Sequence, residues 1–210
     1  MTDVDREIPA LSVSGLLDAV ASEEPTPGGG AVAGVVAGLA AALAGMVGRH
    51  SARGAVETAS FDQLVQLADS LRRRALELAD ADRAAYQGYV DAAQLPREPD
   101  PEPRRSALRA ALHEAVEVPY AVSALAAEVA SVSEQLAATG NPRLRSDACA
   151  AALLGAAAAA SAAVLVRENL HYAPGDRRLA EATRNAQAAA KAARSVLTMV
   201  ALELDDRISA

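Results

Sequence analysis

Aromatic residues are nearly missing from this chain. Its 210 residues include no Trp, one Phe (Phe61) and four Tyr, so Ala, Leu and Val have to build any core. Small side chains bury little area each, and such a core holds only if helices approach closely or subunits add burial. Cysteine is as scarce. Cys149 stands alone in an apolar run, which excludes a disulfide framework and reads as a small buried hydrophobe. Three His (His50, His113, His171) are too scattered for a paired ligand spacing, so no metal is expected. A formal charge of −7 leaves no basic excess to neutralise phosphates, which argues against nucleic acid as a partner. Arg72-Arg73-Arg74 reads as one side of an exposed helix turn. Met1 to Pro9 is acidic and has no signal-peptide core, which points to the cytoplasm. The length favours one domain over residues 1–210, with residues 1–10 loose.

What the chain has instead is Pro25-Thr26-Pro27-Gly28-Gly29-Gly30, followed by uncharged residues to Gly48. Pro presets a turn, and three successive Gly permit unusual backbone angles and leave the backbone N–H groups uncovered. The helix start behind them has its first N–H groups unsatisfied at the positive end of the dipole. Such a bare start can hold a carboxylate, a phosphate or an electron-rich ring atom. The plainer alternative is a tight turn that lets a buried helix pack closely. Gly28–Gly48 and Ala148–Val166 are each about the roughly 20 residues that a membrane span needs. Both are dominated by Ala and Gly with weak flanking charge. Gly30, Gly34 and Gly38 also repeat at the spacing that lets helix backbones touch. Two central helices of a soluble bundle are therefore expected, and purification without detergent would exclude the membrane alternative.

Along the rest of the chain, Leu11–Ser22 reads as a short helix with Ser14 as N-cap. Ser51–Thr58 reads as a polar connection, and Ser60 as the cap of a helix over Phe61–Gln94. Pro96 to Pro103 is a proline-rich connector. A long helix follows over Arg104–Thr139, kinked at Pro119 and stopped by Gly140. Asn141-Pro142 turns the chain, and Ser146 and Asp147 open a helix running to about His171. Pro174-Gly175-Asp176 makes the last turn before a helix over Arg177–Asp206. No segment has strand periodicity. The expected fold is all-α, an antiparallel bundle of about six helices.

One residue breaks the pattern. In the third helix Leu64, Leu67, Leu71, Ala75, Leu78, Ala85, Tyr86 and Tyr89 form one apolar stripe. At the centre of that face the residue is Asp82, while Asp62, Asp80 and Asp91 face solvent. A carboxylate on a buried face is costly unless paired, hydrogen-bonded or protonated. Without a cation its pKa rises, which suits acid–base chemistry; with an Arg from another helix or subunit it is a structural ion pair. Both readings stay open. Tyr86, one turn on, either bonds Asp82, lines a pocket or packs in the core.

The glycine turn, with a helix ending Met46-Val47-Gly48-Arg49, resembles the signature of the cyclodeaminase/cyclohydrolase family. That family includes the cyclodeaminase domain of formimidoyltetrahydrofolate enzymes and stand-alone bacterial methenyltetrahydrofolate cyclohydrolases. The resemblance continues through Asp80-Ala81-Asp82-Arg83-Ala84-Ala85-Tyr86, Val90 to Leu95-Pro96, Val118-Pro119, Gly140-Asn141-Pro142, Ser146-Asp147 and Asn169-Leu170. It covers about Ala10 to Leu170, in order. Five positions depart from the family pattern: Arg97 replaces a Lys, Leu165 an Asn, Ala31 a Ser, and His50-Ser51 a Leu-Thr pair.

The resemblance implies a tetrahydrofolate substrate, a homodimer with the cleft near the subunit contact, and no metal or organic cofactor. A cyclodeaminase closes a 5-formimino group onto N10 with loss of ammonia; a cyclohydrolase opens the 5,10-methenyl compound with water. On this reading Asp82 is the acid–base group, and Pro27, Gly28, Gly29 and Gly30 form the backbone cradle. Tyr86, Arg97, Asn141, Asp147 and Asn169 are candidate substrate contacts, although Asp147 also suits the helix dipole and Arg97 a solvated loop. No nicotinamide fingerprint is present. The departures keep a second class of function open: an altered or inactive bundle that binds a folate-like ligand or a partner.

Overall fold

The computed structural model describes residues 7–53, 58–171, 173 and 175–208, with only the backbone described for 202–208. Among these residues six α-helices follow one another: α1 Val13–Val20, α2 Gly29–Ala52, α3 Ala59–Gln94, α4 Glu102–Thr139, α5 Arg145–Asn169 and α6 Arg177–Ile208. No strand occurs among the described residues. The all-α bundle expected from periodicity is the architecture found.

The lack of large side chains is met by backbone contact. Gly30, Gly34, Gly38 and Gly48 form a column on α2 that faces α3. A Cβ on Gly34 would lie 2.9 Å from Ala79 Cβ and 3.1 Å from Ala75 O, and one on Gly48 2.8 Å from Val65 Cγ2. Each step down α2 is matched by a step back along α3, so the two helices run antiparallel in a fixed register. On the other side, a Cβ on Gly155 of α5 would lie 3.1 Å from both Ala126 O and Ala130 N of α4. None of the described glycines has a positive φ. Of the glycines in the Pro25–Gly30 turn, Gly30 therefore serves close approach, while a Cβ on Gly28 or Gly29 would make only ordinary contacts, at 3.6 and 4.0 Å.

α2 and α5 share the centre with α4, which touches α2, α3, α5 and α6. From Val116 to Ala137 the inward face of α4 is buried, including Val122, Leu125, Val129 and Leu136. α2 and α5 instead each leave one apolar face open, at Leu39, Leu153, Leu154 and Val164. Among the described residues three helices, α2, α4 and the segment Pro142–Asn169, are long and apolar enough to cross a membrane by length and composition.

Local details correct several expectations. Ser12, not Ser14, caps α1, its side chain accepting from Gly15 N at 3.0 Å. α3 starts after Thr58 with no side-chain cap, so Ser60 lies inside the helix; Ser146 likewise lies inside α5. Residues 1–6 lie outside the described residues, but Ile8 is anchored: it is buried, and its N–H donates to Asp80 Oδ1 at 3.2 Å. Asp80, which also accepts from Arg83, is thus a tether for the entering chain rather than a solvent-facing residue. Ser51 belongs to α2 and is buried, while residues 54–57 of the expected connection lie outside the described residues. Ser51 Oγ donates to Val47 O and accepts from Asn141 N, both at 2.8 Å, which docks the Gly140-Asn141 turn on the end of α2. The hydroxyl is what this contact needs, and Ser supplies it where the family carries Thr. Pro174 of the last predicted turn is outside the described residues. Beside it Asp176 accepts from the Arg178 side chain and backbone, which hold its carboxyl down to about 2.

The glycine column makes a direct prediction. Gly34→Ala forces its methyl onto the α3 backbone and should destabilise the protein by about 1–3 kcal/mol. Gly88→Ala, where a Cβ meets nothing within 4 Å, should be neutral or stabilising by about 0.5–1 kcal/mol. Urea unfolding of both variants beside wild type checks this; equal effects would show that close approach does not limit the α2–α3 contact.

Candidate active site

The α2–α3 register brings Asp82 to the first turn of α2. A Cβ on Gly30 would lie 2.0 Å from Asp82 Oδ1, so only glycine leaves room for the carboxyl. Ala31 N–H donates to Asp82 Oδ2 at 2.9 Å, using one of the otherwise unpaired donors of the helix start. That donor is main chain, so the family's Ser at this position is not needed for it. Oδ1 has no protein partner among the described residues, and neither do the N–H groups of Gly29 and Gly30.

No Arg, Lys or His pairs with Asp82 among the described residues, which removes the ion-pair alternative within the chain. Burial pushes its pKa up, and the Ala31 N–H opposes this only in part. A carboxyl so placed exchanges protons nearer to neutrality than an exposed one.

Asp82 opens into a cavity of about 330 Å³ between the α2 start, α3, α4 and the end of α5. Gly28, Gly29, Gly30, Asp82, Tyr86 and Asn169 all line it. Pro27 is buried and does not line it. Tyr86 is 42% exposed and makes no hydrogen bond to Asp82, so it acts as a wall. Asn169 Nδ2 donates to Ala115 O at 2.6 Å.

Three candidates lie elsewhere. Arg97 is exposed on the connector after α3 and does not line the cavity. Asn141 sits at the far end of α2, about 30 Å away at the helical rise of 1.5 Å per residue. Its Oδ1 is taken by Arg143 N at 3.0 Å, so it shapes the turn. Asp147 lies in the first turn of α5, at that same far end, where its charge suits the helix dipole. Sequence reading also missed cavity residues: Pro25, Thr26, Tyr89, Leu112, Ala115, Pro119 and Leu165. Tyr89 was visible as part of the apolar stripe, and Leu165 as a departure from the family; Leu112 and Ala115 carry no local signal. Leu165 lies over Gly29 and makes this wall apolar.

A larger groove of about 870 Å³ runs beside the cavity between α3 and α4 and shares Ala85 with it. Its walls are mostly Ala, with the polar Asp91, His113 and Glu114 among them, and it lacks the convergence of a buried carboxyl with free backbone donors. The smaller cavity is the candidate active site. Among the described residues no cluster of three or more His, Cys, Asp or Glu could hold a metal ion.

A family model described as Formiminotransferase-cyclodeaminase matches residues 12–200. The chain is 34% identical over 163 residues to the methenyltetrahydrofolate cyclohydrolase of Methylorubrum extorquens, covering 75% of this chain and 78% of that protein. It is 32% identical over 133 residues to the formimidoyltransferase-cyclodeaminase of Sus scrofa, covering 61% of this chain but 25% of that longer protein. The crystal structure of formiminotetrahydrofolate cyclodeaminase from Thermotoga maritima matches with a TM-score of 0.83 at 29% identity, over 94% of this chain and 100% of that one.

The environment of Asp82 predicts a pH signature. Its pKa in the fold is above the ordinary 3.8, so its contribution to stability is fully present below that value. The contribution is lost as pH rises through the folded pKa. Asp82→Asn stays neutral and keeps an acceptor for Ala31 N–H. The variant should be more stable than wild type at pH 7, and the difference should shrink as pH falls toward 4. Urea midpoints across that range test it; a variant less stable than wild type at pH 7 would mean that a cation holds the carboxylate.

Proposed function

Since the chain belongs to the formiminotransferase-cyclodeaminase family, we propose that it is a folate one-carbon enzyme acting on the carbon that bridges N5 and N10 of tetrahydrofolate. The observation that carries this reading is Asp82: a carboxyl with a raised pKa, no cationic partner among the described residues, and an open side toward a cavity at a bare helix start. The first reaction assigned is hydrolysis of 5,10-methenyltetrahydrofolate to the 10-formyl compound. Support comes from the cyclohydrolase relative, which matches over most of both chains. The second is ring closure of 5-formiminotetrahydrofolate with loss of ammonia, supported by the similarity to the Thermotoga maritima enzyme over that chain's whole length.

The two reactions share one tetrahedral carbon between nitrogens, and neither route as written uses a metal or organic cofactor. In hydrolysis, water attacks the electron-poor methenyl carbon and gives its proton to the Asp82 carboxylate. The C–N5 bond then breaks as N5 takes that proton from Asp82, the hydroxyl on the carbon releases its own proton to solvent, and the carbonyl so formed stays on N10 as the formyl group. In ring closure N10 attacks the carbon of the protonated formimino group and gives up its proton, and the departing nitrogen takes a proton and leaves as ammonia. One carboxyl whose pKa is raised toward neutrality can serve as base in the first and acid in the second. Its charge also faces a cationic carbon in a cleft walled by Tyr86, Tyr89, Leu112 and Leu165, where screening by water is weak.

The reading includes a cytoplasmic homodimer. The open, uncharged faces of α2 and α5 offer a second copy an apolar surface, at Leu39, Leu153, Leu154 and Val164. Light scattering of detergent-free protein tests this: a monomer, or a requirement for detergent, would count against it.

Activity is read from the absorbance of the methenyl compound at mildly acidic pH, where spontaneous opening is slow. A fall from the methenyl compound marks hydrolysis, and a rise from the 5-formimino compound marks ring closure. Asp82→Asn should lower turnover about 10²–10⁴-fold while the protein stays folded. Folded wild-type protein that changes neither signal would leave a binding role for this cavity.

A further inference from the structure

Pro119 lies in the middle of α4 and has no N–H to give, so the carbonyl four residues earlier, Ala115 O, loses its helical partner. The helix nonetheless runs through unbroken from Glu102 to Thr139. The vacant place is taken by Asn169 at the end of α5, whose Nδ2 donates to Ala115 O at 2.6 Å. A carbonyl can only accept, so this contact decides which way the amide faces: nitrogen toward α4, Oδ1 away from it. Asn169 Oδ1 has no protein partner among the described residues, and it is not a buried unsatisfied atom. Asn169, Ala115 and Pro119 line the same cavity as Asp82.

We propose that Pro119 is a positioning residue: by freeing the Ala115 carbonyl it locks Asn169 with Oδ1 presented to the cavity, as an acceptor for an N–H donor of the bound ligand. An unlocked Asn could turn either its oxygen or its NH₂ to the ligand and would lose rotamer freedom on binding. The lock removes that choice before the ligand arrives. The cavity then offers acceptors from two walls, Asp82 Oδ1 from α3 and Asn169 Oδ1 from α5. That arrangement suits a flat ring bearing N–H groups. The identity of the donor, a ring N–H or amino group of a tetrahydrofolate, rests on the folate reading; the lock itself does not.

The test has two parts, each with the full chain. In urea unfolding, Asn169→Ala leaves Ala115 O without a partner and should lower the folding equilibrium constant by about tenfold. In a Pro119→Ala background, residue 119 donates its own N–H to that carbonyl, so the same substitution should cost far less. Equal costs in the two backgrounds would overturn the lock. In steady-state kinetics with methenyltetrahydrofolate, a contact made equally in ground and transition states raises KM and spares kcat. Pro119→Ala and Asn169→Ala should each raise KM by about tenfold with kcat within about twofold, and the double variant should be no worse than Asn169→Ala. A KM raised by Asn169→Ala but not by Pro119→Ala overturns the positioning role, as does a double variant with additive effects. An unchanged KM in both overturns the acceptor role. A wild type inert toward folates would sink the folate reading and the donor named here, while the unfolding cycle still decides the lock.

Discussion

The contact on which this molecule depends is the approach of α2 to α3 through a column of glycines. With almost no aromatic residues, the chain cannot gain stability from a few large buried groups. It gains it by bringing backbones close enough for many Ala and Val contacts, as at Gly34 against Ala75 and Ala79. Close packing of that kind fixes register, because a one-residue slip would drive Cβ atoms into the facing helix. The site is a consequence of the register. The first glycine of the column, Gly30, stands opposite Asp82, and the space a side chain would fill is taken by the carboxyl.

At that point structural and chemical demands meet. The start of α2 has donors with no helical partner, and Asp82 needs a partner to be buried at all. Ala31 N–H satisfies both with one hydrogen bond. The bond is too little to offset desolvation, so the carboxyl keeps a raised pKa. A salt bridge there would have given a more ordinary carboxylate and a poorer proton carrier. A similar economy appears at Asn169, where a donor missing from α4 because of Pro119 is supplied by α5. In both places a backbone group left over by the helix geometry fixes a side chain in the cavity.

Sequence reading located the helices well because their signals are local: apolar spacing, proline, glycine and a charge-free run. It found Asp82 because a carboxylate interrupting an apolar stripe is visible without coordinates. The caps were less well read. Ser14, Ser60 and Ser146 looked suitable by residue type, but a cap depends on where the first turn begins, and packing moved that by two residues or less. Arg97, Asn141 and Asp147 were candidates by resemblance alone. The fold places the last two about 30 Å from Asp82, because the α4–α5 turn docks on the opposite end of α2.

What the sequence determined by itself is the all-α class, the glycine column, the odd carboxylate and the family, since each is written in residue type and spacing. What only the tertiary structure decided is which of these features meet. Residues 30 and 82, or 119 and 169, are far apart in the chain, and no periodicity relates them. They come together because helices of small residues can touch only in registers where backbone meets backbone. The same contact decides that Pro119, by spacing only a kink in a helix, releases the carbonyl that orients Asn169.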